Sequence, residues 1–274
     1  MPVRDQTEPV LHCAHLVRLY ESPTGRVQAV RGVDLAIEAG VIVAVVGPSG
    51  CGKSSLLRML SGIDRPTAGS VTLSGVDLTR LSDRRRARAR SELLTHVHQR
   101  PSDNLFAHLT GRQQLERVLA RHRDQSEVDA ILGQLGLAHR GDATPDRLSG
   151  GEQQRLAFGR AVAAGHRVVI ADEPTAHLDT DSATSVLDAM EVLAASGVTI
   201  VVATHDQRVL RRVHRTVALR DGAVATITEG TTELSVVDRS GRVQLPPDAR
   251  RLFADGRVRL TIDPENGSVT LEQP

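Results

Sequence analysis

The stretch Val41-Ile-Val-Ala-Val-Val46, followed by Gly47-Pro-Ser-Gly-Cys-Gly-Lys-Ser54, decides the fold of this chain. The first part is a continuous apolar run, typical of a strand buried on both faces of a parallel or mixed sheet. The second part matches the pattern GxxxxGK[ST], and a helical pattern runs from Lys53 to about Leu60. A buried strand, a glycine-rich loop and a helix in this order predict a loop whose backbone N–H groups hold a polyphosphate.

Lys53 is the only lysine among 34 basic residues, the other 33 being arginine. A lysine retained in such a chain indicates a position that needs a compact ammonium rather than a planar guanidinium. In a phosphate-binding loop, we expect Lys53 to reach the β- and γ-phosphates and Ser54 to ligate Mg²⁺.

Further apolar runs at 167–171 and 198–203 predict two more strands of the same sheet. A helical pattern at 181–195 lies between them, and strands that alternate with helices indicate an α/β core. Residues 10–19 alternate loosely before the turn signal Ser-Pro-Thr-Gly at 22–25, which predicts an N-terminal hairpin. The Arg- and Leu-rich stretch at about 82–147 lacks strand-like runs, so we expect a helical subdomain inserted into the core.

Composition excludes several classes of protein. The 274 residues are 40% hydrophobic and 24% charged, as in folded globular proteins, and the net charge of +1 gives no sign of nucleic acid as a partner. The two cysteines cannot form a disulfide scaffold, and no apolar run approaches the roughly 18 residues of a membrane span or forms a signal peptide. We therefore expect a cytoplasmic protein.

A second motif is Val168-Val-Ile-Ala-Asp172-Glu173, an apolar strand that ends in two acids. Ligands bind at the carboxyl ends of strands in α/β folds, so Asp172 is a candidate for the Mg²⁺ shell and Glu173 for orienting or deprotonating an attacking water. A third motif is Leu148-Ser-Gly-Gly-Glu-Gln-Gln-Arg155, in which Ser149 is a good N-cap for a helix running to about Ala164.

LSGGEQQR resembles the signature motif of ABC-type ATPases, and the order of phosphate loop, signature and acidic strand end is that of the family. The resemblance covers about residues 8–228. It implies a P-loop NTPase core of α/β class, with an N-terminal antiparallel β subdomain and an inserted α-helical subdomain.

The resemblance also implies a set of site residues. Glu173, His205 and Gln99 correspond to catalytic positions, and Ser54, Gln99 and Asp172 to ligands of Mg²⁺. His177 stands where the family usually has a small residue, so the contact between subunits made by the neighbouring Asp179 differs in detail. The positions that match nucleotide contacts are Tyr20 (stacking on adenine), Gly47, Pro48, Ser49, Gly50, Cys51, Gly52, Lys53, Ser54, Ser55, Ser149, Gly150, Gly151 and Asp179.

Stretches at 62–70, 77–82 and 104–110 resemble the lipoprotein-release and macrolide-export group of these ATPases. This resemblance implies ATP and Mg²⁺ as cofactors and a second copy that completes a head-to-tail ATP sandwich. It also implies an integral-membrane permease and a peripheral position on the inner face of the cell membrane. The alternative is a soluble ABC-type mechanical ATPase without a permease, acting in division or repair.

Two features leave alternatives open. Phe106, one of four aromatic residues, is either a core side chain or an exposed anchor in a permease groove formed by 99–119. Glu229-Gly-Thr-Thr232 has the composition of a linker, and within the C-terminal segment 229–274 the stretch Leu234 to Leu271 resembles the swapped-hairpin fold of AbrB/SpoVT-type modules. Because 229–274 holds six arginines against eight acidic residues, we expect dimerisation or regulation rather than DNA binding, the alternative being a β appendage on its own core.

Overall fold

A computed structural model describes residues 8–23, 25–119, 126–237, 241–245, 247–253, 257–264, 266 and 268–273. The strands are β1 (Leu11–Ser22), β2 (Gly25–Ile37), β3 (Ile42–Val46), β4 (Ala68–Leu73), β5 (Val76–Asp77), β6 (Leu94–Val97), β7 (Val168–Asp172), β8 (Thr199–Ala203), β9 (Arg215–Arg220), β10 (Ala223–Glu229), β11 (Thr232–Ser235), β12 (Arg259–Asp263) and β13 (Ser268–Glu272). The helices are α1 (Lys53–Leu60), α2 (Asp83–Leu93), α3 (Gly111–Glu116), α4 (Ser126–Gln134), α5 (Gly150–Ala163), α6 (Thr180–Ala195), α7 (Gln207–Leu210) and α8 (Pro247–Arg251).

The central sheet has seven strands in the order β11-β10-β9-β3-β8-β7-β6. Strands β3, β6, β7, β8 and β9 run parallel, while β10 and β11 are antiparallel additions at one edge. Val45 of β3 and Asp172 of β7 are both register partners of Ala203 in β8, so the carboxyl ends of three neighbouring strands lie at one edge. The segments that follow these strands begin with Gly47, Glu173 and Thr204.

Both faces of the sheet are covered, which is why β3 reads as an unbroken apolar run. Val43 and Val45 pack into the cluster that includes α1 and the N-terminal strands. Ile42 packs on the opposite side, in the cluster formed by α5, α6 and neighbouring strands. The α/β core expected from the sequence is therefore confirmed.

A separate antiparallel sheet, in the order β2-β1-β4-β5, forms the N-terminal β subdomain. Strands β1 and β2 pair antiparallel, with Ser22 opposite Gly25 at the end of the hairpin that the sequence predicts. In this sheet, Tyr20 lies on β1, opposite Val27 of β2.

The segment 82–147 differs from its prediction in one respect. It contains helices α2, α3 and α4, but it also contains the four-residue strand β6, which pairs in parallel with β7 at the edge of the central sheet. The expectation that this stretch lacks strands was wrong because Leu-Thr-His-Val is too short and too polar to give a period-2 signal. Among the described residues, no helix combines the length and the apolar character needed to cross a bilayer.

The expected linker at 229–232 is instead a tight turn. Gly230 adopts a positive φ of 58°, and β11 returns antiparallel to β10, so the central sheet continues to Ser235. Beyond it, the described part of the chain contains the bridge between Val237 and Val243, helix α8 and the two-stranded sheet β12-β13.

Candidate active site

The loop between β3 and α1 depends on two glycines. Gly47 has φ 145°, and a Cβ there would lie 2.2 Å from the carbonyl oxygen of Leu219. Gly52, with φ 104°, is the N-cap of α1, and a Cβ there would lie 2.2 Å from the carbonyl oxygen of Ala29. Because neighbouring backbone comes this close, any larger residue would displace the loop.

The side chain of Lys53 folds back across this loop. Its Nζ donates to the carbonyl oxygens of Gly47 at 2.7 Å and of Pro48 at 3.1 Å. Helix α1 begins at Lys53 with no acidic residue in its first turn, so the partial positive charge of its N-terminus is not offset locally. Lys53, Ser54 and Ser55 follow the loop Gly47-Pro-Ser-Gly-Cys-Gly52 directly, as the sequence motif predicts.

A cavity of about 350 Å³ lies beside the loop, and its polar lining includes Ser54, Gln99 and Asp172. Burial raises the pKa of the Asp172 carboxyl, although a hydrogen bond from Ser54 and the charge of Lys53 act in the opposite direction. The structure thus brings together all three residues expected to ligate Mg²⁺.

Glu173 and His205 meet at the end of the sheet. Nδ1 of His205 lies 2.8 Å from Oε1 of Glu173. The Glu173 side chain is 16% exposed, whereas the His205 side chain is 81% exposed. Glu173 has φ 46°, an uncommon conformation for a residue with a side chain, and its N–H donates to the carbonyl oxygen of Ala203. Backbone at the end of β8 therefore helps to fix the turn that presents the Glu173 carboxylate.

Thr175 and Asp206 connect the loops that carry Glu173 and His205. The hydroxyl of Thr175, which is 2% exposed, donates to Oδ2 of Asp206 at 2.8 Å. Arg208 donates to both carboxylate oxygens of Asp206. Burial favours the neutral form of Asp206, yet these hydrogen bonds outweigh it and hold the pKa of the carboxyl at about 2. Sequence analysis missed this pair, since only tertiary structure brings positions 31 residues apart together.

Ser149 begins α5 with a capping box. Its hydroxyl accepts from the N–H of Glu152, and the Glu152 carboxylate accepts from the N–H of Ser149. A Cβ on Gly151 would lie 2.8 Å from the Cβ of Ser182, and one on Gly150 would lie 3.1 Å from a methyl group of Leu178. These glycines therefore allow the start of α5 to approach the start of α6.

Asp179 is the N-cap of α6. Its carboxylate accepts from both the N–H and the hydroxyl of Ser182, at 2.8 and 2.7 Å, and these hydrogen bonds lower the pKa of Asp179. Ser182 also faces Gly151, so the segments containing Ser149 and Asp179 adjoin within one chain.

Tyr20 lies beside α1. Its hydroxyl oxygen is 3.2 Å from both Ser55 Oγ and Asp64 Oδ2, and Arg58 pairs with the same Asp64 carboxylate at 2.8 Å. The guanidinium carbon of Arg18 lies 4.6 Å from the centre of the Tyr20 ring. These contacts fix the ring, while its stacking on adenine stays a prediction.

Phe106 is 38% exposed, so it is not a core side chain. The guanidinium carbons of Arg117 and Arg160 lie 5.0 and 5.2 Å from its ring centre. Both guanidinium groups thus lie over the ring, and part of its surface stays open.

A phosphate-binding loop, an acidic strand end and a glutamate–histidine pair at one edge of a parallel sheet define a P-loop ATPase. Residues 30–176 match the family model described as "ABC transporter". The chain belongs to the ABC transporter family, and the expectation of an ATPase of this type is confirmed.

The relatives point to one group within the family. The chain is 39% identical over 226 residues to the lipoprotein-releasing system ATP-binding protein LolD 2 of Caulobacter vibrioides, an alignment that covers 79% of this chain and 96% of that protein. It is 38% identical over 223 residues to the macrolide export ATP-binding/permease protein MacB of Hyphomonas neptunium, covering 80% of this chain and 34% of the relative. The predicted resemblance to the lipoprotein-release and macrolide-export group is confirmed.

Comparison with solved structures supports the same family assignment. The ATP-binding cassette MJ0796, in a dimeric post-hydrolysis state bound to ADP and phosphate, superposes with a TM-score of 0.70 at 29% identity. That match covers 80% of this chain and 98% of the cassette. The similarity to AbrB/SpoVT-type modules stays a prediction.

Proposed function

We propose that this chain is the ATP-binding and ATP-hydrolysing subunit that powers a separate membrane permease, of lipoprotein-release or export type, through ATP-driven closure of a head-to-tail pair. The observation that carries the proposal is the contact between Glu173 and His205 at the sheet edge that also carries the Lys53 loop. The similarity to LolD over nearly the full length of that protein supports the choice of transport group.

ATP binding starts from the position of Lys53. Its ammonium exchanges the carbonyl oxygens of Gly47 and Pro48 for the β- and γ-phosphate oxygens, which carry more negative charge. Backbone N–H groups of the loop and the N-terminus of α1 bind the same phosphates. Tyr20, fixed beside Ser55, stacks on the adenine ring.

The residues around the 350 Å³ cavity fit Mg²⁺. A hydroxyl from Ser54, an amide oxygen from Gln99 and a carboxylate from Asp172 are oxygen donors of the kind this ion prefers. Ser54 and Asp172 line the same cavity, so two of these oxygen ligands lie on its wall together. Bound there with ATP, Mg²⁺ supplies positive charge that offsets the charge on the phosphates.

Hydrolysis uses the pair Glu173 and His205. Glu173 accepts a proton from a water molecule as the water oxygen attacks the γ-phosphorus, and the bond from that phosphorus to the β–γ bridging oxygen breaks to give ADP and phosphate. His205, whose side chain is largely exposed, turns from Glu173 to the γ-phosphate when ATP is present. Its exchange of partners frees the carboxylate for the water.

A second copy completes the site. Ser149, Gly150 and Gly151 of that copy contact the γ-phosphate from the other side, and Asp179 lies at the crossing between subunits. In one chain, the contact between Gly151 and Ser182 links the signature helix to the Asp179 loop, so both reach the partner as one unit. Release of phosphate reopens the pair.

The permease contact lies in 99–119. Phe106 presents an exposed ring next to Arg117 and Arg160, which suits a cytoplasmic helix of the permease that ends in acidic or carbonyl groups. The subunit is then peripheral on the inner face of the membrane. Recovery of the chain without a membrane protein, under conditions that preserve such complexes, would favour the soluble mechanical ATPase instead.

Substitution of Glu173 by glutamine tests the hydrolytic role. E173Q keeps shape and hydrogen bonding but removes the base, so we expect turnover to fall by about 10²–10⁴-fold while ATP binding persists. The variant should accumulate as an ATP-bound dimer in size-exclusion chromatography. E191Q, a matched change at an exposed carboxylate on α6, should hydrolyse ATP like the wild type. Turnover of E173Q close to that of E191Q would remove Glu173 from this role.

A further inference from the structure

Positive charge is concentrated around one surface helix. Residues 77–93, which contain α2, hold six arginines against three acidic residues, although the whole chain has a net charge of only +1. The remainder of the chain is therefore net negative. A cationic surface on a nearly neutral protein favours an anionic partner that touches this face alone.

Helix α2 turns its apolar side chains towards the chain and its charge towards solvent. Ala89 and Leu93 pack against the hydrophobic cluster beneath the helix, and the Arg86 side chain is only 12% exposed. Arg84 and Arg85, in the first turn, are exposed. None of the large exposed hydrophobic side chains belongs to α2, so its outer surface offers charge rather than an apolar face.

The acidic residues beside α2 are already paired with other arginines. The pairs are Arg65 and Arg86 with Asp83, at 3.2 and 3.1 Å, Arg88 with Glu92 at 2.8 Å, and Arg80 with Asp77 at 3.1 Å. Across the part of the chain that the structure describes, the guanidinium groups of Arg84 and Arg85 have no such partner. Their charge is therefore available to a ligand from outside.

A cavity of about 610 Å³ adjoins the start of α2. Arg18, Arg65 and Arg86 line it together with the carboxylates of Asp64 and Asp83, both of which already pair with arginines. Nε of Arg18 and Nη1 of Arg86 are buried and lack a hydrogen-bond acceptor among the described residues. Unsatisfied guanidinium donors beside a cavity favour a phosphate group as the occupant.

Helix α2 also lies next to the proposed permease contact. The chain runs from α2 through β6 directly to Gln99, where the segment 99–119 begins. Ser91, near the C-terminal end of α2, lines a cavity of about 320 Å³ together with Asn104 and Val118 of that segment. A permease helix bound to 99–119 would therefore bring α2 close to the membrane surface.

We propose that α2 docks on anionic phospholipid headgroups of the membrane surface beside the permease. Arg84 and Arg85 face the phosphates, and the cavity lined by Arg18 and Arg86 admits one of them. The contact is electrostatic, without insertion of apolar side chains into the bilayer. The position of the permease rests on the proposed function, whereas the charge of α2 does not.

Sedimentation with vesicles measures this contact without permease or nucleotide. The full-length chain is mixed with vesicles of equal parts phosphatidylglycerol and phosphatidylcholine, or of phosphatidylcholine alone, in about 0.1 M salt. We expect binding only to the vesicles that contain phosphatidylglycerol. The binding should be lost in about 1 M salt, where the Debye length falls to about 3 Å.

Charge reversal tests the assignment to α2. R84E/R85E should lower the partition coefficient by about 25-fold or more, because each arginine near an anionic surface contributes about fivefold. Glutamate is favourable in the first turn of a helix, so the melting temperature should be kept. R211E/R259E makes the same change of net charge at two exposed arginines outside α2 and should bind close to the wild type. Both variants should keep basal ATPase activity.

The lipid contact and the permease contact can fail separately. In detergent, R84E/R85E should still retain the permease in pull-downs, because 99–119 is intact. Phe106→Ala should show the reverse pattern, with vesicle binding kept and the permease lost. Vesicle binding by a chain that never copurifies with a membrane protein would support the lipid contact and contradict the proposed function alone.

Four outcomes would overturn the proposal. Equal binding, or none, to both kinds of vesicle would show that anionic headgroups are not recognised. Equal losses in R84E/R85E and R211E/R259E would make binding an effect of net charge rather than of α2. Tighter binding to a DNA duplex, lost in R84E/R85E, would make α2 a nucleic-acid surface. Displacement from vesicles by an equal concentration of soluble glycerophosphoglycerol would make the cavity a site for a free phosphate ester.

Discussion

Replacing Thr175 by valine removes one hydroxyl and keeps the shape of the side chain. Thr175 is 2% exposed and donates to Asp206 at 2.8 Å, so the variant loses a buried hydrogen bond to a charged acceptor. Such bonds contribute about 1.5–3 kcal/mol. For T175V we expect the free energy of unfolding to fall by about 2 kcal/mol, since Arg208 still binds the Asp206 carboxylate. The melting temperature of a chain of this size should fall by about 4–8 °C.

The effect on stability should depend on pH. Hydrogen bonds from Thr175 and Arg208 hold the pKa of Asp206 at about 2, below its ordinary value of 3.8. A depressed carboxyl pKa in the folded state stabilises the fold above the unfolded value, and this stabilisation is lost as the pH falls towards 2. Loss of the Thr175 bond raises the folded pKa, so the difference between wild type and T175V should be full at pH 7 and shrink below about pH 4.

Urea denaturation at pH 7 and at acidic pH measures the stability of T175V, and steady-state ATPase assays measure its turnover. Because the Thr175–Asp206 bond joins the loops of Glu173 and His205, kcat should fall with little change in KM. Thr175→Ser keeps the hydroxyl, so this variant should have most of the wild-type stability and turnover. A wild-type urea midpoint and turnover for T175V would refute the role assigned to this bond, and so would a stability loss equal at all pH values.

Three further predictions concern the loop and the permease groove. K53R keeps the charge but should lose ATP turnover, because a planar guanidinium does not fit where a compact Nζ lies 2.7 Å from Gly47; unchanged nucleotide affinity and turnover would contradict this. Cys51 should be alkylated faster than Cys13, whose pKa burial raises to about 12, and Mg-ATP should protect Cys51; equal labelling measured by mass spectrometry would oppose its place in the loop. F106A should fold and keep its basal ATPase activity, but it should no longer retain the permease in pull-downs, because losing the anchor costs over about 2 kcal/mol of binding. V192A, a control at another exposed apolar residue, should still retain the permease. A large drop in the melting temperature of F106A would argue against an anchor.

Most of the core could be predicted from local sequence because its elements carry strong local signals. Helix α1 was predicted at Lys53–Leu60 and is observed there, since the glycines before it and the apolar spacing within it act over a few residues. Strand β7 likewise follows from an unbroken apolar run that ends in Asp172. The sequence motifs placed Ser54, Asp172 and Glu173 at the carboxyl edge of the sheet for the same reason.

What the sequence could not supply depends on tertiary contacts. Strand β6 forms because Leu94–Val97 finds an open edge on β7, not because its own residues alternate. The bond between Thr175 and Asp206 joins positions that no local pattern relates. For Phe106, composition left core and surface equally open, and only the structure shows that the ring is 38% exposed, with Arg117 and Arg160 lying over it.

The turn between β9 and β10 is hydrogen-bonded to the phosphate-binding loop, and the same turn also contacts the C-terminal segment. The N–H of Gly222 donates to the carbonyl oxygen of Cys51, and the N–H of Arg31 donates to the carbonyl oxygen of Gly222. On the outer side of the same turn, the amide of Gln244 donates to the carbonyl oxygen of Arg220. The loop geometry therefore depends on backbone contacts that involve no nucleotide, so in the proposed mechanism Lys53 and His205, rather than the loop itself, change partners when ATP binds.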